Sequence, residues 1–355
     1  MLMKRYLFFL IATVIVIIPN SCKKDPALPL PVTPYEPSPY NLVIPQGFPD
    51  MEIPSDNPLT VEGIQLGRRL FYDTLLSGDF TQSCSSCHNQ AVAFSDNGKQ
   101  FSTGIDNIEG GVNAPTIINP GWMPSAFWDG RANSLEEQAL GPVENPIEMH
   151  LDWPDAIDRL DAHELYPTLF SNVFGDKPIK KEMVAKAIAQ FERTFISSES
   201  DWDKYLRGEY MLSQSEAKGF EVFFTEKGDC FHCHGTILFT DNLFHNNGLD
   251  SVLTNLGLGA ITGNSNDNGK FKSPTLRNIE FTAPYMHDGR FGTLEEVIDF
   301  YSEGVKFSAT IDPLMKKVHQ GGLHLTESEK QDLIAFLKAL TDEDFLNNPD
   351  YSSPF

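Results

Sequence analysis

Cys84-Ser85-Ser86-Cys87-His88 and Cys230-Phe231-His232-Cys233-His234 repeat one pattern, C-x-x-C-H, and between them use four of the chain's five cysteines. Two thiols one helical turn apart can add to the two vinyl groups of one porphyrin, and the histidine that follows then faces the iron as its proximal ligand. A zinc site, a disulfide or a redox dithiol would each account for a C-x-x-C. None of them accounts for a histidine directly after both second cysteines. The pair therefore reads as attachment sites for two covalently bound haems c, the first on Cys84, Cys87 and His88, the second on Cys230, Cys233 and His234.

The fifth cysteine bears on location. Lys4 and Arg5 precede an apolar run from Tyr6 to Ile18, short for a membrane span, and Pro19-Asn20-Ser21-Cys22 closes it in the manner of a lipoprotein leader. Residues 1–21 are then a signal peptide and Cys22 the lipidated N-terminus, with a plain secretory leader or an uncleaved anchor as the alternative. Either way the chain is exported to the cell envelope, in the periplasm or anchored at the outer membrane. Asp25 to Pro45 hold seven prolines, so residues 22–47 read as an extended tether. The rest is long enough for two domains, 48–209 and 210–355, each with one haem motif. The formal charge is −22, more negative still once Lys4 and Arg5 leave with the leader. Such acidity argues against nucleic acid; it suits steering of a basic redox partner, or solubility alone.

The pattern is mainly α. Val184, Ala187, Ile188, Phe191 and Phe195 mark one helix face. Leu333, Phe336, Leu337 and Leu340 mark another, which opens with the capping box Thr326-x-x-Glu329. A third starts at Ser213-x-x-Glu216 and carries Phe220, Val222 and Phe223 toward the second haem motif. Helix, C-x-x-C-H, long irregular loops and a closing helix is the order of a class I cytochrome c domain. Loops such as Asn246 to Gly269 are long because a haem replaces much of the protein core.

Outside the haem motifs stand Asn113-Ala114-Pro115-Thr116, Phe127-Trp128-Asp129-Gly130-Arg131-Ala132, Leu135-Glu136-Glu137-Gln138-Ala139, Gly141-Pro142 and Asn145-Pro146-Ile147-Glu148-Met149. Phe191-Glu192-Arg193-Thr194, Pro274-Thr275-Leu276-Arg277-Asn278 and Ala283-Pro284-Tyr285-Met286-His287-Asp288-Gly289-Arg290 follow. Together they resemble the bacterial dihaem cytochrome c peroxidase family, which includes the MauG-type enzymes, over roughly residues 48–345. The resemblance implies that the first haem is the peroxidatic centre and the second the electron relay. It further implies that Glu148 is the acid-base carboxylate, Gln138 a distal-pocket amide and Trp128 the indole between the haems. A calcium ion held by the Asn113 side chain and the carbonyls of Thr282 and Pro284 is implied as well.

Two departures from the family pattern matter. Many members carry a histidine after the first haem motif that blocks the iron until the other haem is reduced. Here Ser102-Thr103-Gly104-Ile105 occupies that segment, and no histidine occurs from Asn89 to Met149. The first haem is therefore expected to be open without reductive activation, unless His150 or His163 reaches the iron. The second departure lies fourteen residues beyond His287, where many members have a methionine ligand to the second haem and this chain has Tyr301, as MauG-type enzymes do. Thr293-x-x-Glu296 starts a helix that puts Leu294, Val297, Ile298 and Tyr301 on one face, a pattern a core tyrosine also satisfies. A phenolate in place of a thioether should lower the reduction potential; Met286 and Met315 are the alternative ligands.

The expected activity is reduction of hydrogen peroxide with electrons from a small c-type cytochrome. The alternatives are MauG-type oxidation of tryptophan on a partner protein and a non-catalytic dihaem electron carrier. A homodimer is compatible with the sequence.

Overall fold

The capping boxes read from the sequence are where helices begin. Ser213 caps Gln214–Phe223, Thr293 caps Leu294–Asp299 and Thr326 caps Glu327–Lys338, each with its reciprocal glutamate bond. A computed structural model describes residues 36–355; the leader, Cys22 and the first part of the Pro-rich segment lie outside the described residues. From Glu36 that segment is fastened to the body, since Tyr40 N–H donates to the Leu59 carbonyl and Val61 N–H to the Ser38 carbonyl.

The described chain is mainly helical. In order it forms α1 (Val61–Tyr72), α2 (Cys84–Cys87), α3 (Leu135–Glu144), α4 (Trp153–Ala162), α5 (Tyr166–Phe174), α6 (Lys181–Glu192) and α7 (Asp201–Leu206). There follow α8 (Gln214–Phe223), α9 (Phe231–His234), α10 (Leu258–Thr262), α11 (Leu294–Asp299), α12 (Glu327–Lys338) and α13 (Glu343–Asn347). Strand is confined to a two-residue antiparallel pair, β1 (Phe244–His245) with β2 (Phe271–Lys272). Among the described residues no helix is long and apolar enough to cross a membrane.

Two main hydrophobic clusters form, one beside each haem motif. In the first, Leu66, Leu70 and Phe71 of α1 meet Val184, Ala187, Ile188 and Phe191 of α6, with Cys84 at the margin. In the second, Phe223 of α8 meets Leu333, Phe336 and Leu337 of α12, with Cys230 at the margin. The faces expected for α6 and α12 are the buried ones, and on α8 Val222 and Phe223 are buried while Phe220 is half-buried. Both clusters depend on a glycine where two helices cross. A Cβ on Gly67 would lie 1.9 Å from the Ala187 carbonyl oxygen, and one on Gly219 would lie 1.9 Å from that of Asp332. Only a residue without a side chain permits that approach.

The likeness between the halves extends to loops. After each haem motif comes a phenylalanine in the left-handed region, Phe94 (φ 57°) and Phe239 (φ 53°). Thr116 and Thr275 donate their hydroxyls to the carbonyls just before them, Ala93 and Leu238. Asn119 and Asn278, also left-handed, then open short 3₁₀ turns, and a bridged turn follows in each half, Ala126 with Ala132 and Tyr285 with Phe291. By this register Trp128 and His287 hold equivalent places.

Two features join the halves. Arg277, fully buried, donates to both carboxylate oxygens of Asp203 at 2.7 and 2.8 Å and to the Ile237 carbonyl at 2.7 Å, tying α7 to the second haem segment. Burial pushes the Asp203 carboxyl up, but the Arg277 guanidinium outweighs it and holds the group below its ordinary range. The chain end returns to the first cluster, where Phe345, Leu346 and Tyr351 are buried, and the Tyr351 hydroxyl donates to the Thr194 carbonyl at 2.6 Å.

Because the helix crossing leaves no room for a methyl group, Gly219→Ala should cost about 1–3 kcal/mol of stability. Thermal unfolding would show it, and an unchanged midpoint would mean the crossing can open without penalty.

Candidate functional site

Both motif histidines are fixed in the same way. His88 Nδ1 lies 2.9 Å from the Phe94 carbonyl and His234 Nδ1 lies 2.9 Å from that of Phe239. A carbonyl can only accept, so Nδ1 carries the proton in each ring and Nε2 keeps its lone pair for a metal. Burial pushes both imidazoles below their ordinary value, which favours the neutral ligand form. The left-handed turn at each phenylalanine aims the carbonyl. Two half-buried cysteines one turn apart stand beside each ring, and apolar clusters form the walls. These residues fit covalent haem at both motifs. Near the first, Asp96 Oδ2 and Ser102 Oγ are buried and meet no hydrogen-bond partner among the described residues.

Glu148 lies close enough to the first motif that its charge bears on the acidity of both Cys84 and Cys87. The turn that carries it is organised by Asn145, at the end of α3. Asn145 accepts from Ile147 N–H through Oδ1, accepts from Glu148 N–H and His150 N–H through its carbonyl, and donates from Nδ2 to Glu148 Oε1 at 2.7 Å. Burial raises the Glu148 carboxyl above its ordinary value, while Asn145 and the Arg131 charge pull it back. A cleft beside it is lined by Phe127, Arg131, Gly141, Pro142, Asn145 and Glu148, and the Arg131 guanidinium sits 3.4 Å over the Phe127 ring.

Gln138 is half-buried on α3, and its side chain has no hydrogen-bond partner among the described residues. The loop holding Ile105 is closed by Gly104 N–H to Ile108 O and Gly110 N–H to Ser102 O, and Ile105 N–H donates to the Glu148 carbonyl. His150 is exposed and paired with Asp106 at 2.5 Å. His163 accepts from Leu165 N–H at the end of α4.

The second motif opens on a cavity of about 280 Å³. Its lining includes His234, Trp128 and all three candidate iron ligands, Tyr301, Met286 and Met315. Tyr301 stands where α11 passes into a π-helical turn, Phe300–Gly304, a distortion that often marks functional positions. Its hydroxyl accepts from Asn247 Nδ2 at 3.1 Å, and the same nitrogen lies 3.6 Å from Met286 Sδ. Burial pushes the phenol up to about 12. His245, also on the lining, bridges Asp241 (2.8 Å) and Asp312 (2.7 Å). Asp241 above all, with Asp312, pushes that imidazole well above its ordinary value.

Trp128 Nε1 donates to the Asn113 carbonyl at 2.8 Å. Asn113 uses its own amide N–H groups on the carbonyls of Lys99 and Gln100. Its Oδ1 and the carbonyls of Thr282 and Pro284 accept no hydrogen bond among the described residues, and all three residues line the same cavity as Trp128. Oxygen donors of this kind suit a hard cation. Asn145, Asn247, His245 and the buried Lys272 had no role assigned from sequence. Asn145, in an Asn-Pro step just after a helix, carried the nearest thing to a signal.

The family model for di-haem cytochrome c peroxidase matches residues 61–211. The methylamine utilization protein MauG of Methylorubrum extorquens is 37% identical over 293 residues, covering 82% of this chain and 81% of its own. The cytochrome c551 peroxidase of Nitrosomonas europaea is 34% identical, covering 86% of each chain. Among solved structures, a MauG-like protein associated with microbial copper homeostasis superposes with a TM-score of 0.82 at 40% identity, over 89% of this chain and 99% of that one. The chain belongs to the di-haem cytochrome c peroxidase family and is a peroxidase that carries two haems c.

Proposed function

We propose that hydrogen peroxide is reduced at the haem of Cys84, Cys87 and His88, and that electrons arrive through the haem of Cys230, Cys233 and His234 from a small c-type cytochrome. On this reading each haem is the centre of a class I cytochrome c-like domain, a view supported by the repeated loop and helix pattern of the two halves. The observation that carries the proposal is Glu148, a half-buried carboxyl gripped by Asn145 beside the first haem motif. Bound haem supplies the redox chemistry, accepting both oxidising equivalents of the peroxide. Glu148 takes the proton from one peroxide oxygen and returns it to the other, which leaves as water when the O–O bond breaks. Gln138 orients peroxide or water by its amide, and Trp128 lies on the electron path between the haems. Asn113, Thr282 and Pro284 would hold calcium against the same indole. The enzyme works in the cell envelope, tethered through lipid on Cys22.

The first haem is open in the oxidised enzyme. No histidine lies between Asn89 and Met149, the Ile105 loop is bonded to itself and to the Glu148 backbone, and His150 and His163 are both engaged elsewhere. Tyr301 is the proposed sixth ligand of the second haem; without a nearby cation its half-buried phenol would stay protonated. Tyr301 together with Ile105 favours a second reading, peroxide-driven oxidation of tryptophan on a partner protein, and turnover with reduced basic cytochrome c as sole donor separates the two.

Four outcomes are expected. Glu148→Gln should lower peroxide turnover about a hundredfold or more, and unaltered turnover would remove the acid-base role. Asn145→Ala takes away a hydrogen bond that favours ionised Glu148, so the acidic limb of kcat/KM against pH should move to higher pH; a fixed limb would mean another group sets it. Tyr301→Phe should change the absorption spectrum of the second haem alone, whereas an unchanged spectrum returns the ligand role to Met286 or Met315. Electron paramagnetic resonance of the oxidised protein should show a high-spin ferric signal that stoichiometric peroxide consumes without prior reduction. Two low-spin haems, inert until one electron is added, would mean that the first site is closed.

A further inference from the structure

Lys272 is a buried cation with no anion beside it among the described residues. It sits on β2 with 8% of its surface exposed. Its ammonium donates to the Ser125 carbonyl at 2.8 Å and to Met123 Sδ at 3.3 Å, one neutral oxygen and one weak sulfur acceptor for three N–H groups. Among the described residues no carboxylate lies within ion-pair distance of it. Burial alone lowers its pKa, to about 8, which still leaves it charged at neutral pH. A buried charge of this kind persists where a counter-charge meets it.

The surroundings say where that counter-charge comes from. Lys272 lines the cavity that opens on His234. The next residue, Ser273, donates its hydroxyl to the Cys233 carbonyl at 3.2 Å, so the lysine is anchored to the second haem motif itself. The other lysines on this lining are already provided for: Lys316 pairs with Glu226 and Asp229, and Lys317 is exposed to solvent. The porphyrin of haem c carries two propionates, so a carboxylate is brought into this cavity by the cofactor.

We propose that Lys272 receives a propionate of the second haem as its ion-pair partner. The inference rests on Cys230, Cys233 and His234 as that haem's attachment site. It also gives Lys272 a positioning role. Its backbone N–H donates to the Trp128 carbonyl at 2.9 Å and its ammonium holds Ser125, so one residue links the carboxylate edge of the porphyrin to the segment that carries the indole.

The test uses the purified holoenzyme and its Lys272→Met and Lys272→Arg variants. Potentiometric titration follows each haem by its own absorption band, and resonance Raman spectra follow the propionate bending modes. In Lys272→Met the reduction potential of the second haem should fall, because a cation that favours the ferrous state is gone. Its propionate mode should shift while the first haem keeps both properties, and Lys272→Arg should restore most of the wild-type values. If the methionine variant cannot be purified with two haems, Lys272→Gln is read in the same way. An unmoved potential and an unmoved propionate mode at the second haem, or changes confined to the first, overturn the proposal. Mass spectrometry of the wild-type peptide spanning residues 230–234 checks the attachment separately: absence of haem there would fail that reading whatever Lys272 does.

Discussion

A hydrogen bond from an imidazole Nδ1–H to a backbone carbonyl is the constraint that the rest of this structure serves. It occurs twice, from His88 to Phe94 and from His234 to Phe239, and each time it decides the tautomer and the plane of the ring. The carbonyl can point at the histidine because its phenylalanine adopts a left-handed conformation that the residue type disfavours. That conformation is held from outside. Thr116 and Thr275 pin the preceding carbonyls, and the Phe239 carbonyl also accepts from Leu276 N–H. Helix pairs crossing at Gly67 and Gly219 form the walls behind. Each layer exists to keep one oxygen atom in place.

On this repeated framework the two halves diverge at a few equivalent positions. Trp128 stands in the first half where His287 stands in the second, the latter stacked on Phe271 with centroids 3.6 Å apart. After the shared cap, Ser134 in one half and Thr293 in the other, α3 continues to Glu144 and then folds back through Asn145 to present Glu148. The equivalent α11 is shorter and widens into a π-helical turn that presents Tyr301. The first device delivers a carboxyl with an adjustable proton. The second delivers a phenol into an apolar cavity. A difference in how one helix ends thus places a carboxyl in one half and a phenol in the other.

Much of this was legible before any coordinates. The haem motifs are covalent chemistry written into five consecutive residues, and capping boxes are local hydrogen bonds between residues three apart, so both survive without knowledge of the fold. The buried faces of α6 and α12 followed from period alone. Asn145 was hidden because its role lies in one side chain gripping a carboxyl three residues on in a turn, and many Asn-Pro steps do no such thing. Lys272 was hidden because nothing local distinguishes a buried lysine from a solvated one. Its burial is set by Met123 and Ser125, nearly 150 positions away. Gln138 was read from its neighbours in the motif, since its own side chain meets no hydrogen-bond partner among the described residues.

The segment that returns to the first half decides what that half can be on its own. Phe345, Leu346 and Tyr351 fill the first hydrophobic cluster, Tyr351 reaches Thr194, and Arg68 of α1 donates to the carbonyls of Pro349 and Ser352. The core around the first haem motif is thus completed by a segment that follows the whole second half in sequence. The first haem half is therefore not a separable unit: without residues 345–351 it would expose Phe94 and Phe195, which Phe345 and Tyr351 now cover.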